Sequence, residues 1–174
     1  EELAAQDERI KLFSQENQGQ SVARNFALQK VGGKYLYFMD SDDYLENDAL
    51  ELCFEKAESN NLDFVLFDAE ILNPQDTTAI DIIYKRTQII NEESVYTGDE
   101  LFNLFIRKYL FTPSPCLNFI KTSFLKHINL SFYPGIIHED QLFTCQLYLN
   151  ANKVMCIAKP FFKRRFRSDS TMTN

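Results

Sequence analysis

Residues Tyr35-Leu36-Tyr37-Phe38-Met39 form a short, nearly all-apolar run that stops abruptly at Asp40-Ser41-Asp42-Asp43. A run without polar alternation reads as a strand covered on both faces, because a strand with one wet face would alternate. Three carboxylates in four residues repel one another, so a folded chain gathers them only where something offsets the charge. The carboxyl ends of strands are where open α/β sheets bind ligands. There the offsetting group reads as an oxygen-preferring divalent cation, Mg²⁺ or Mn²⁺, bridging a carboxylate to a substrate diphosphate. The competing reading is a loop feeding a helix, with Asp43 as cap or dipole partner.

The flanking segments set the fold class. Ser21 to Lys30 carries Val22 and Phe26 at helical spacing, with Ala23 and Ala27 on a neighbouring face, and Gly32-Gly33 stops it. After the acidic cluster, Asn47 or Asp48 caps a second helix, with Leu50, Phe54 and Ala57 as its apolar stripe. Leu62 to Phe67 is a second apolar strand. Helix, strand, helix, strand over residues 21–68 predicts an α/β domain with a mostly parallel sheet.

Beyond Asn73-Pro74 the texture changes. The isoleucines from Ala79 to Ile90 suggest a β-ribbon, and Thr97-Gly98-Asp99-Glu100 has capping-box spacing ahead of a helix. Phe111 to Pro115 reads as a loop, Asn118 to Ile120 as a strand and Ser123 to His127 as a short helix. Gln141 to Asn150 reads as a helix with Leu142, Cys145 and Leu149 on one stripe. Val154–Ile157 and Phe161–Phe166 read as two closing strands. No repeat or linker divides the 174 residues, which predicts one packed domain.

Composition narrows the function classes. A net charge of −7 argues against nucleic acid as a partner, since binding phosphates needs a basic surface. Lys, Glu or Asp interrupts every apolar stretch before membrane-spanning length. Cys53, Cys116, Cys145 and Cys156 form no C-x-x-C pair and lie among apolar residues, as buried free thiols of a reducing compartment do. The chain opens at Glu1-Glu2-Leu3, neither an initiator Met nor a secretory signal, and reads as a piece of a longer protein.

Three further segments hold candidate chemistry. In Asn17 to Asn25, a Gly and a Ser before a helix offer amides to phosphate or sugar, or serve only as loop and cap, with Ser21 as the cap. His138-Glu139-Asp140 places carboxylates at a helix start, as a general base or as dipole partners. Lys163-Arg164-Arg165-Phe166-Arg167 is a basic patch in an acidic chain. Lys163, Arg165 and Arg167 share one face of a strand, either to neutralise a leaving diphosphate or to protect a sheet edge. His127 reads as structural.

Taken together, Asn17-Gln18-Gly19, Ala23-Arg24-Asn25, Gly33-Lys34-Tyr35-Leu36 and Phe38 to Asp43 resemble the family 2 glycosyltransferases of the GT-A fold. Glu139-Asp140 is similar to that family's later acidic motif, and Arg165 to Met172 to its C-terminal R-x-R-x-x-S segment. The resemblance implies an α/β, Rossmann-like nucleotide-diphospho-sugar transferase fold with a mostly parallel sheet, lacking its first βα units. Roughly 60–90 residues would precede this chain by that analogy. It implies a metal- and nucleotide-binding half over residues 1–70 and an acceptor-binding half over 71–174. Asp42 and Asp40 would be the D-x-D pair that meets the metal, with Asp40 also near the ribose. Arg24, Asn25, Arg165 and Arg167 would contact the nucleotide-diphosphate sugar. Asp140 would be the base that deprotonates an acceptor hydroxyl, giving inversion at the anomeric carbon. The implied partner is a glycan or lipid-linked acceptor. The implied setting is bacterial surface-polysaccharide or glycan synthesis, in the cytoplasm or peripherally at the inner face of a membrane. Two alternatives stay open on the residues alone: a non-catalytic scaffold, and a haloacid-dehalogenase-like phosphohydrolase that also places D-x-D after a buried strand.

Overall fold

The computed structural model describes residues 2–72 and 84–165. Its helices are α1 (Glu2–Gln6), α2 (Gln20–Lys30), α3 (Ala49–Asn60), α4 (Gly98–Arg107), α5 (Thr122–His127) and α6 (Glu139–Asn150). Its strands are β1 (Tyr35–Tyr37), β2 (Tyr44–Leu45), β3 (Phe64–Leu72), β4 (Asn118–Lys121) and β5 (Val154–Arg165). They form one sheet in the order β1-β4-β3-β5-β2.

The sheet is mixed where a mostly parallel one was expected. β4 pairs antiparallel with both β1 and β3, so β1 and β3 run the same way without touching. Only β3 and β5 are parallel neighbours, and β2 is antiparallel to β5. The helix–strand rhythm of residues 21–68 is real, but the returning strand β4 inserts between its two strands, β1 and β3. β1 is consequently an edge strand of the described sheet. Leu36 alone is buried there, and Tyr35 and Tyr37 are half-buried.

Helices cover both faces, which is why β3 is apolar on successive residues. Phe64 and Leu66 face a core built with Leu101 and Phe105 of α4, Phe124 and Leu125 of α5, and Phe143, Leu147 and Tyr148 of α6. Val65 and Phe67 face a second core with Ala49, Cys53 and Ala57 of α3. The α3 stripe differs from the expected one: Leu50 and Phe54 are 44% and 46% exposed, whereas Ala49, Cys53 and Ala57 are fully buried. Small side chains four residues apart let the helix backbone approach the sheet closely. In α6 the buried set is Glu139, Phe143, Thr144, Leu147 and Tyr148, with Leu142 and Leu149 outside it and Cys145 half-buried.

The Thr97 capping box forms with both of its hydrogen bonds. The two closing strands are a single strand, β5, joined across a register shift opposite Phe67 and Ala69. Ala79 to Ile83 of the expected ribbon lies outside the described residues. Arg86–Ile89 is a 3₁₀ turn instead of a strand. That turn buries Arg86, which donates to the Phe67, Leu117 and Thr112 carbonyls at 3.2–3.4 Å. It also buries Thr87, whose hydroxyl donates to Asp68 at 2.6 Å. Cys53, Cys116 and Cys156 are buried free thiols, and burial pushes each up to about 12.

Candidate active site

The acidic cluster forms the turn between β1 and β2, which lie at opposite edges of the described sheet. Phe38, two residues before Asp40, packs edge-on against Phe132 (5.2 Å) and Phe143 (5.6 Å). Phe132 and Phe143 stack on each other at 4.1 Å. This trio fixes the end of β1 against α6, and aromatic pairs of this kind add about 1 kcal/mol each beyond burial.

Helix α2 fastens the opposite wall. Four polar residues repeat at i, i+1, i+4 and i+5, so they lie on one side of the helix. Ser21 Oγ donates to the Tyr133 carbonyl at 3.2 Å. Asn25 donates from Nδ2 to the Phe132 carbonyl and accepts the Phe132 amide at Oδ1. Gln20 Nε2 donates to Glu139 Oε1, as does Arg24 Nη1 at 3.1 Å. The other arm of Arg24 reaches Asp40 Oδ1 at 2.8 Å. Ser21 lies inside the helix and caps nothing; the N-cap is Gly19, at φ 85°. That left-handed angle favours a residue without a Cβ.

An open cavity of about 790 Å³ lies between these walls. Asp40, Asp42 and Asp43 of the β1–β2 turn line it together with Glu139 and Asp140 of α6. Arg24, Arg164 and Arg165 also reach it. Five carboxylates and three guanidiniums thus share one opening, as anion recognition alongside a cation requires.

The carboxylates are not equivalent. Burial, and then the charge of Glu139, raises Asp140 above its ordinary 3.8. Asp140 Oδ1 also accepts the Gln141 amide at 2.9 Å. Asp43 is raised mainly by burial, opposed by the Arg165 amide that donates to its Oδ1 at 2.7 Å. Asp40 keeps its side chain 45% exposed while paired with Arg24.

Among the described residues, no three His, Cys, Asp or Glu side chains converge to hold a metal ion. The donor set suits a different kind of site. Asp40 and Asp42 present hard carboxylate oxygens to a roomy opening, and Mg²⁺ or Mn²⁺ often takes one or two carboxylates with substrate phosphates and water. The residues fit such an ion and do not form an all-protein cage.

The structure brings together Asp40, Asp42, Arg24, Asp140 and Arg165 of the expected site. It does not bring Asn25, whose side chain is engaged by Phe132 and lies away from this cavity. Arg167, with Ser170 to Met172, lies outside the described residues. Lys163 faces elsewhere, donating to Glu46 at 2.9 Å and Glu70 at 2.6 Å. Arg164 lines the cavity in its place, although strand alternation put Lys163 with Arg165. Sequence reasoning also missed the ties of Gln20 and Glu139. The only local signal was the i, i+4 spacing of Gln20 with Arg24 and of Ser21 with Asn25.

The mixed α/β fold is that of the GT-A glycosyltransferases. Residues 1–123 match the family model described as Glycosyl transferase family 2, and the chain belongs to that family. It is 29% identical over 162 residues to the cholesterol galactosyltransferase of Borreliella burgdorferi, covering 88% of this chain and 43% of that protein. It is 26% identical to glycosyltransferase GlyA of Streptococcus pneumoniae, covering 97% of this chain and 24% of GlyA. Residues 1–349 of S. aureus TarS, solved with UDP-GlcNAc, superpose with a TM-score of 0.68 at 24% identity. That likeness covers 90% of this chain and 41% of the TarS chain, and it shows the fold. The chain thus spans less than half the length of these relatives. Among the described residues, no helix is long and apolar enough to cross a membrane.

Proposed function

We propose that the protein containing this chain transfers a sugar from a nucleoside-diphosphate donor to an acceptor hydroxyl in glycan synthesis, with inversion. The supporting observation is the cavity itself, where the Asp40–Asp43 turn, two β5 arginines and Asp140 face one opening. The UDP-GlcNAc complex of TarS, a protein of the same fold, favours a nucleotide-sugar donor.

Asp140 takes the proton as the acceptor oxygen bonds to the anomeric carbon and the bond from that carbon to the diphosphate breaks. A base in this role contributes about 10²–10⁴-fold, and positioning contributes more. Its raised affinity for protons suits it to accept one. Arg164 and Arg165 offer donors to the departing diphosphate. Arg24 acts on the donor side through Asp40. Mg²⁺ or Mn²⁺ held by Asp42 and Asp40 would stabilise charge on the leaving diphosphate. Residues 1–70, joined by Arg164 and Arg165 of β5, would carry the donor contacts and the rest of 71–174 the acceptor, a glycan or a lipid-linked sugar, with peripheral placement at the inner membrane face. Neither the fold nor the family match supports a phosphohydrolase or a scaffold.

The test is calorimetric titration of UDP, with and without Mn²⁺, into the protein at its full encoded length and its Asp42→Ala variant. Mn²⁺-dependent binding that the variant loses is the expected result. Equal affinity in the two proteins would remove Asp42 from the metal site, and no binding by the unmodified protein would remove a uridine donor.

A further inference from the structure

Helix α6 starts without the usual fastening. Its N-cap is His138, at φ 63°, whose side chain makes no capping hydrogen bond; Asp140 Oδ1 accepts the first-turn amide of Gln141. A non-glycine residue in the left-handed region is uncommon, so the start of α6 is set by more than its own turn.

Glu139 ties this helix start to α2. Its side chain is only 4% exposed, and a carboxylate is buried that deeply only when paired. One oxygen, Oε1, accepts from both Gln20 Nε2 and Arg24 Nη1. The two donors lie one turn apart on α2, which also grips Phe132 and Tyr133. The second arm of Arg24 holds Asp40, and the guanidinium lies 5.1 Å over the Phe132 ring.

We propose that Glu139, clamped by Gln20 and Arg24, is a positioning residue that sets Asp140 opposite the Asp40–Asp43 turn. The inference rests on the transferase reading above. Asp140 follows Glu139 directly, so any displacement of Glu139 moves the base as well. Misplacing a reacting group by about 1 Å lowers a rate by about 10²-fold. Through Arg24 the clamp also ties the start of α6 to Asp40, so the donor side and the base share one guanidinium.

Because both hydrogen bonds fall on one oxygen, Glu139→Gln keeps the acceptor and removes the charge, whereas Glu139→Ala removes both. The experiment uses the protein at full encoded length. It compares UDP affinity with Mn²⁺, UDP release from UDP-GlcNAc with water taking the sugar, and amide hydrogen exchange across Phe143–Leu147. Glu139→Ala is expected to release UDP about 10²-fold more slowly, with UDP affinity within about threefold and faster exchange. Glu139→Gln is expected to restore protection and to recover turnover to within about tenfold of the unmodified protein. Normal turnover in Glu139→Ala would overturn the proposal. So would equal defects in the two variants, or affinity falling in step with turnover. If the unmodified protein neither binds UDP nor releases it from UDP-GlcNAc, the uridine-donor reading fails by itself. Exchange then decides the clamp: faster in Glu139→Ala and restored in Glu139→Gln supports it, and any other pattern overturns it.

Discussion

Asn25 and Phe132, 107 residues apart, exchange two hydrogen bonds: Asn25 Nδ2 donates to the Phe132 carbonyl at 2.7 Å, and the Phe132 amide donates to Asn25 Oδ1 at 2.8 Å. One amide side chain thereby answers both backbone groups of a residue whose ring is buried. Asn25→Ala leaves both groups without a partner. An unanswered buried group costs about 1–3 kcal/mol, so a loss of about 2 kcal/mol in urea unfolding is expected. A donor-binding Asn25 would behave differently, weakening UDP affinity at unchanged stability.

Asp140→Asn removes the proposed base while keeping its size. Turnover should fall by about 10²–10⁴-fold with UDP affinity retained. In the unmodified protein kcat/KM should fall on the acid side with a midpoint above 3.8, because burial and Glu139 raise Asp140. The linked effect on stability has the opposite sense. A carboxyl raised on folding favours the folded state below 3.8, and that contribution is lost as pH rises through the raised value. An acid limb at the ordinary carboxylate value, or one that survives in Asp140→Asn, would assign the limb to another group.

Arg165 and Lys163 separate two meanings of the same basic strand. Arg165 lines the cavity, with its guanidinium 5.1 Å over the Tyr44 ring, whereas Lys163 is held by Glu46 and Glu70. Arg165→Ala should weaken UDP binding by about tenfold, the scale of one charge-assisted hydrogen bond. Lys163→Ala should leave UDP affinity unchanged. Equal losses in the two variants would point to a diffuse field instead of a contact.

Gly98 opens α4 against the end of α6. A Cβ placed there would lie 1.9 Å from the Tyr148 carbonyl oxygen. Gly98→Ala must therefore push two helices apart, and a loss of about 3 kcal/mol in thermal or urea unfolding is expected. A variant as stable as the unmodified protein would mean that the α4–α6 approach is wider than described.

Much was legible because it is written locally. The spacing of Ser21 to Lys30 and the Thr97 box each depend on residues within one or two turns and formed where the sequence put them, whereas the apolar run before Asp40 gave a strand only over Tyr35–Tyr37, at the sheet edge with Leu36 alone buried. The family was legible for the same reason: the N-x-G, A-R-N and D-S-D-D strings are contiguous. The choice of buried face was not. In α3 and α6 the periodicity allows more than one stripe, and packing distance decides between Leu50 with Phe54 and Ala49 with Cys53.

The sequence by itself determined that this is an α/β chain of the family 2 glycosyltransferases, with its acidic turn after an apolar strand and the Thr97 capping box at the start of α4. Only the tertiary structure decided that β4 separates β1 from β3, that Arg164 and not Lys163 reaches the cavity, and that Gln20, Ser21, Arg24 and Asn25 grip residues 107–119 positions away. Hydrogen bonds between adjacent turns follow from chain geometry alone. Bonds between distant segments exist only after the core has packed, when Phe38, Phe132 and Phe143 have brought the two walls of the cavity to contact distance.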